Sequence, residues 1–250
     1  MSLSRKFKKT LSRNNALYEQ AIDLYLNENK PDEALRILLK LSKVGFNKAL
    51  GAIGVIIYRE KMDVEKAEEW FIKAEKANAL QEEATYEYGM LHYLKKDDWE
   101  TGLSYLFKAA AQGYELAYGD IGTILYFYKS DVNEAEKWFE QAEKEECLFA
   151  PAAFSYAQLL MLERDDWEKS KKLFKESADA GFEPAYAEYA SILYLKKIDV
   201  DEAEEYFKKA EENNFLLAPH AYLYGELLIK ERNEVEKGNK YLDMAESDGY

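Results

Sequence analysis

Between residues 64 and 76, Ala67, Trp70, Phe71 and Ala74 stand at i, i+3, i+4 and i+7, with Glu65, Lys66, Glu68 and Glu69 outside that stripe. Such spacing predicts an amphipathic helix with one buried face. The pattern returns at Ala135, Trp138, Phe139, Ala142 and again, at the same interval, at Ala203, Tyr206, Phe207, Ala210. Related stripes between them end at Leu41, Ala109, Ser177 and Ala245. Consecutive stripes are 33 or 35 residues apart in strict alternation, so there are seven units of about 34 residues and a 68-residue super-repeat.

Polar and special residues punctuate the units in step. Asp63, Asp98, Asp131, Asp166 and Asp199 each precede a second helix and predict N-caps. Glu134 and Glu202, three residues beyond two of them, predict capping boxes. Pro31 suits a first helical turn, and Gly45, Gly113, Gly181 and Gly249 suit left-handed helix ends. All twelve glycines and all four tryptophans occupy recurring slots. Each unit thus reads as two helices, and one hairpin cannot bury its own apolar face. Stacking makes the core continuous. The expected fold class is all-α: an α-solenoid of seven helix-turn-helix hairpins forming a right-handed superhelix. A basic segment over 1–13 precedes one repeat domain over 14–250. The units run over about 14–47, 48–82, 83–115, 116–150, 151–183, 184–218 and 219–250.

The segments Ala109-Ala110-Ala111-Gln112-Gly113-Tyr114-Glu115-Leu116-Ala117 and Ser177-Ala178-Asp179-Ala180-Gly181-Phe182-Glu183-Pro184-Ala185 resemble the A-A-x-x-G-x-x-x-A junction of Sel-one-like repeats, relatives of tetratricopeptide repeats. The 67–74 helix and the Ile53-Gly54 and Ile121-Gly122 pairs look similar too. The likeness covers roughly residues 15–250. Two features depart from it. The G-x-G-V-x-x-D loop between helices is replaced by short links such as Glu60-Lys61-Met62-Asp63, and the tyrosine expected three residues after the helix glycine stands four after it. The resemblance implies an adaptor or scaffold that binds proteins, which is analogy rather than a site argument.

Charge and composition narrow the classes. The net charge of −14 opposes non-specific nucleic-acid binding. Residues 1–13 run against it, holding Arg5, Lys6, Lys8, Lys9 and Arg13 with no acid. Leu3, Phe7 and Leu11 share one helical register there, which suits either a membrane-surface helix or a frayed cap drawn to the acidic body; the cap is the expectation. No apolar run spans a bilayer, no signal-peptide core is seen, and Cys147 is the sole cysteine. A cytoplasmic protein is expected.

Catalytic chemistry is poorly represented. No His-Glu-x-x-His, Cys-x-x-Cys, P-loop or Gly-x-Ser-x-Gly motif occurs. His92 occupies an apolar slot and is expected to be packed, His220 beside Pro219 to lie at the surface, and Cys147 to be small filler. No enzyme, catalytic residue, metal or cofactor is expected.

A partner surface is legible as a ladder. Counting from the helix glycine slot, tetratricopeptide-like stacks expose positions −6, −3, +1, +4 and +5 of each first helix on their concave side. Here the +4 slot holds Tyr25, Tyr58, Tyr93, Tyr126, Met161, Tyr194 and Ile229. The −3 slot holds Tyr18, Gly51, Tyr86, Gly119, Phe154, Ala187 and Tyr222, so rings alternate with recesses. These tyrosines either line a groove or fill gaps between neighbouring helices. Groove lining is the expectation, with Tyr25, Tyr58, Tyr86, Tyr93, Tyr126, Phe154, Tyr194 and Tyr222 as contacts for another protein or peptide segment. Few charges share the slots: Lys48, Arg59, Glu83, Glu226 and Lys230. The alternative is a bacterial immunity or inhibitor protein that neutralises a toxin through its acidic surface. The last hairpin shows no obvious polar cap, which leaves two alternatives open: self-association through the terminal hairpins, or an end face that is merely wet.

Overall fold

The computed structural model describes residues 2–250, with side chains described at residue 8 and from residue 10 onward. Of the basic start, Leu3, Arg5, Lys6, Phe7 and Lys9 therefore have side chains outside the described set. Among the described residues there are fourteen α-helices, one π-helical turn and no strand. The helices are α1 (Ser2–Leu26), α2 (Pro31–Lys43), α3 (Lys48–Ile56), α4 (Val64–Lys76), α5 (Glu82–Lys95), α6 (Trp99–Ala111), α7 (Ala117–Phe127), α8 (Val132–Lys144), α9 (Ala150–Glu163), α10 (Trp167–Asp179), α11 (Pro184–Leu195), α12 (Val200–Glu212), α13 (Ala218–Arg232) and α14 (Val235–Ser247). The π turn, Ile57–Lys61, continues α3. Two compact units are formed, Met1–Ala117 and Tyr118–Tyr250.

Consecutive helices pack as hairpins: α1 with α2, α3 with α4 and α5 with α6 in the first unit; α9 with α10, α11 with α12 and α13 with α14 in the second. Gly122 against the Phe139 ring joins α7 to α8. The seven expected hairpins of an all-α repeat solenoid are present.

Their ends follow the punctuation. The carboxylates of Asp63, Asp98, Asp131, Asp166 and Asp199 accept the backbone N–H three residues on, at 2.9–3.3 Å. The second half of the expected capping boxes is not made. Glu134 pairs with Lys137 at 3.0 Å, and Glu202 reaches Lys175 of the preceding hairpin at 3.0 Å. The Asp131 amide that Glu134 was to satisfy already donates to Leu125 O, six residues back. Lys30, Asp98, Asp166 and Glu234 close their turns by the same six-residue bond. Each of the seven turns passes through one left-handed residue, and none is glycine: Asn29, Met62, Asp97, Ser130, Asp165, Lys197 and Asn233. Glycine takes that role at the four expected helix ends, Gly45, Gly113, Gly181 and Gly249.

The alternation of unit lengths corresponds to two kinds of hairpin. In one kind the helices cross on small residues. A Cβ on Gly89 would sit 3.0 Å from Gly102 O, and one on Gly238 would sit 2.7 Å from Gly225 O. At the matching crossing of α9 and α10 the Ser170 hydroxyl donates to Ala157 O at 2.8 Å. In the other kind a ring lies against the first-helix glycine: Cβ atoms on Gly54 and Gly122 would meet Phe71 and Phe139 at 2.6 and 2.7 Å. Those rings then stack on the next hairpin, Phe71 on Tyr88, Phe139 on Tyr156 and Phe207 on Tyr224, with centroids 5.1–5.3 Å apart. The three phenylalanines are fully buried, which contributes about 2–3 kcal/mol each.

Ionic ties repeat on the same period. Lys96, Arg164 and Arg232, at or just past the ends of first helices, reach Glu68, Glu136 and Glu204 of the preceding second helices at 2.5–2.8 Å. Gln20 and Asp23 are exposed where the later first helices bury Tyr88 and Leu91, Tyr156 and Leu159, Tyr224 and Leu227. Glu246 is exposed where α10 buries Ala178. The last hairpin also exposes Val235, Met244 and Tyr250, so it presents both polar and apolar side chains to solvent.

Candidate functional site

The expected contact residues all lie on first helices, and the structure treats the two slots differently. Rings at −3 are held by the aromatic residue that follows each helix-ending glycine. Tyr18 meets Phe46, Tyr86 meets Tyr114, Phe154 meets Phe182 and Tyr222 meets Tyr250, with centroids 4.8–5.9 Å apart. Tyr18 also donates its hydroxyl to Gln81 Oε1 at 3.1 Å. These rings cover the ends of their own hairpins, and only Tyr222 counts as exposed.

Rings at +4 are sunk between helices. Tyr25, Tyr93, Tyr126 and Tyr194 are half-buried, and Tyr58 belongs to the core with Ile57 and Tyr88. Burial pushes the Tyr25, Tyr58, Tyr126 and Tyr194 phenols up, helped at Tyr58 by Glu87, at Tyr126 by Glu163 and at Tyr194 by Glu226. Tyr25 donates to Glu60 Oε1 at 3.3 Å.

What stands out into solvent is the next position. Leu26, Leu94, Phe127, Leu162 and Leu195 occupy the +5 slot and are 51–66% exposed. In the sequence this slot drew attention only for its charges, because exposure of an apolar residue at the last helical turn depends on the depth to which its +4 neighbour sinks. The signal was present in the five apolar residues recurring at one offset.

The small residues at −3 also behave in two ways. A Cβ on Gly51 would lie 2.8 Å from Ala84 Cβ, and one on Gly119 would lie 2.6 Å from Ala152 Cβ, so in that direction the next first helix closes over each glycine. Beside Gly51 an open recess of about 270 Å³ remains, with Tyr18, Ile22, Lys48 and Glu83 among its walls.

The first unit places one charge cluster on this face. Arg59, at +5 of the second hairpin, donates Nε to Glu87 Oε1 at 2.8 Å and Nη1 to Glu83 Oε1 at 2.8 Å. The Glu87 side chain is only 7% exposed. Burial raises its carboxyl, and Arg59 opposes that rise. Burial alone would weaken the Arg59 charge; Glu87 and Glu83 outweigh it and hold the guanidinium protonated. Glu226 and Lys230 pair likewise in the second unit. Four of the five charges on the expected groove slots are thus mutually satisfied.

Little here offers bond-making chemistry. His92 is buried between Tyr88 and Tyr105, at 4.8 and 5.9 Å, with Nδ1 3.3 Å from Asp98 Oδ2. His220 is not at the surface as expected: its side chain is 13% exposed and lies 3.7 Å from Glu188 Oε1 on α11. Cys147 is half-buried in the exit after α8. Among the described residues no cluster of His, Cys, Asp or Glu could hold a metal ion, and no helix is long and apolar enough to cross a membrane.

No protein-family model matches the chain, and no curated protein matches it in sequence. Solved structures do resemble it. A Sel1 repeat protein from Oxalobacter formigenes is 23% identical over 92% of this chain and 99% of its own, with a TM-score of 0.63. A protective antigen of uropathogenic Escherichia coli with an SLR fold is 18% identical over 96% of this chain, which spans 55% of that protein, with a TM-score of 0.69. Pseudomonas aeruginosa pilF is 17% identical over 87% of this chain and 97% of its own, with a TM-score of 0.68. With hairpins, turn geometry and these likenesses together, the chain has the Sel1-like, tetratricopeptide-like repeat fold.

Proposed function

We propose that the protein is a non-catalytic scaffold whose first-helix face holds a segment of a partner protein. The observation that carries this reading is the +5 ladder. Five large apolar side chains recur at one offset and stay more than half exposed, and among the described residues of those helices Leu11 is the only other large apolar side chain that is exposed. Scattered exposed leucines need no explanation, but a periodic row does. The half-buried tyrosines beneath would supply hydroxyls to a partner's backbone, and the leucines would supply apolar contact. Within the first unit the groove residues are Tyr25, Leu26, Tyr93 and Leu94; within the second, Tyr126, Phe127, Leu162, Tyr194 and Leu195.

The test is affinity capture from the native host. Partners held by the intact chain should be lost by Leu94→Asp with Leu162→Asp, while circular dichroism stays helical. Capture that survives both substitutions would refute the groove. The toxin-neutralising alternative draws support from the charge of the second unit, 16 basic against 30 acidic residues. It expects a basic effector whose affinity collapses with salt and survives the leucine substitutions.

A further inference from the structure

The exits after α4, α8 and α12 carry one pattern. Glu75 and Leu80, Glu143 and Leu148, and Glu211 and Leu216 each stand five residues apart, one super-repeat from the next pair. Each glutamate reaches the second helix of the hairpin that follows. Glu75 Oε1 accepts from the Tyr105 hydroxyl at 2.8 Å and lies 3.8 Å from Lys108 Nζ, both on α6. Glu143 pairs with Lys169 on α10 at 2.9 Å, and Glu211 accepts from the Tyr241 hydroxyl on α14 at 2.6 Å. Leu80 and Leu148 are half-buried, Leu216 is buried, and Leu80 O accepts from Gln112 Nε2 at 3.2 Å. At the third hairpin Glu75 and Leu80 thus wall one side of a crevice whose other side holds Thr85, Tyr105, Lys108 and Gln112.

The first hairpin has the same crevice without such an exit. Leu17, Ile37, Lys40 and Val44 occupy the slots of Thr85, Tyr105, Lys108 and Gln112, and with Arg13 and Leu41 they wall an open space of about 550 Å³. The slots of Glu75 and Leu80 fall on Phe7 and Ser12, and α1 passes through both as one unbroken helix where later hairpins have a helix end and a turn. Charge at this end has one sign. Residues 1–18 and 34–59 hold no acid. Arg13, Lys40 and neighbouring Lys43 have no acid at ion-pair distance among the described residues, whereas Lys108, at the Lys40 slot one super-repeat on, has Glu75. Of the remaining acids on α1 and α2, Glu19 lines the recess beside Gly51, and Asp32 and Glu33 stand in the first turn of α2, at its far end.

We propose that this end of the first hairpin takes an acidic, leucine-bearing segment of a partner protein, seated as the exits seat between later hairpins. Its carboxylate would pair with Lys40 and Arg13, and a leucine five residues on would lie against Leu17, Ile37, Leu41 and Val44. The repeat itself names the occupant, since three internal junctions fill the equivalent place with a glutamate and a leucine at that spacing. The crevice opens on a different side of α1 from Tyr18, Ile22 and Leu26, so docking here does not depend on the first-helix groove.

Fluorescence anisotropy of a labelled peptide copying residues 138–149, with Cys147→Ser, tests this against the full chain. That peptide is acidic and carries Glu143 and Leu148. It should bind saturably, and Leu148→Ala in the peptide should weaken binding by about tenfold. Raising salt from about 50 to about 500 mM should weaken it by about tenfold or more. Arg13→Glu with Lys40→Glu, at two exposed positions, should weaken it as much while circular dichroism stays helical. Glu143→Lys in the peptide should then restore binding to that variant, a rescue that misfolding cannot produce. Leu94→Asp with Leu162→Asp should leave the peptide affinity unchanged. A wild-type chain that does not bind the peptide at about 1 mM overturns the proposal, as does binding indifferent to Arg13 and Lys40. Binding lost only with the two leucine substitutions overturns it too, and speaks for the groove instead.

Discussion

The two compact units share their internal slots and differ at their surfaces. Met1–Ala117 holds 18 basic and 18 acidic residues, whereas Tyr118–Tyr250 holds 16 and 30. Inside, Phe71 and Phe139 meet Gly54 and Gly122 in the same way, and both stack on a tyrosine of the next hairpin. Outside, the slot that carries Arg59 in the first unit carries Phe127 and Leu195 in the second, and beneath it the slot of buried Glu87 carries buried Ser155 and half-buried Leu223. The difference teaches that packing fixes some positions of the repeat while leaving others to set what each unit can touch. A charge on the first unit's face must be matched within it, since Glu87 is shut away from water.

Substitutions can break this comparison, and the largest effects belong to the shared slots. Phe71→Ala and Phe139→Ala should each cost about 3–5 kcal/mol and by similar amounts, read from urea unfolding of both variants. Unequal costs would mean the two interiors are not alike. Arg59→Ala should cost about 2 kcal/mol by stranding Glu87, and Glu87→Gln added to it should recover much of the loss. Phe127→Ala, at the same slot in the second unit, should change unfolding by no more than about 0.5 kcal/mol. Severing one rung of the ionic ladder with Arg164→Ala should cost less than about 1 kcal/mol and less still at high salt. The smallest change is a gain. Met62 and Lys197 occupy left-handed turns at φ 53° and 52°, and replacing either with Asn should raise stability by about 0.5–1 kcal/mol in the same assay.

Much of the frame was legible from spacing alone. Five aspartates at one offset announced five N-caps, and four glycines spaced by the super-repeat announced four left-handed helix ends. The capping box at Asp131 failed because its amide was already bonded to a carbonyl six residues back, a contact that depends on turn geometry rather than residue type, and at Asp199 the Glu202 side chain turns to Lys175 instead. The pairing of Arg59 with Glu87 was hidden for a different reason. The residues lie 28 positions apart on different hairpins, and only their packing brings them to 2.8 Å. Gln20, Asp23 and Glu246 look ordinary until their counterparts in other hairpins are seen to be buried. On the candidate face, the tyrosines recur at fixed offsets, and the structure sinks the +4 rings between helices. Which of its rungs reach solvent was set by depth, a third dimension that periodicity does not carry.

The alternation of two hairpin kinds sets the step by which such a chain can be lengthened. A ring-bearing second helix presents Phe71 to a tyrosine of the next hairpin, which itself crosses on glycines. Inserting one hairpin would set like against like and leave one of those rings without its mate. Inserting two consecutive hairpins keeps every junction of a kind already present, so growth or trimming of this protein by whole pairs should be tolerated where single hairpins are not.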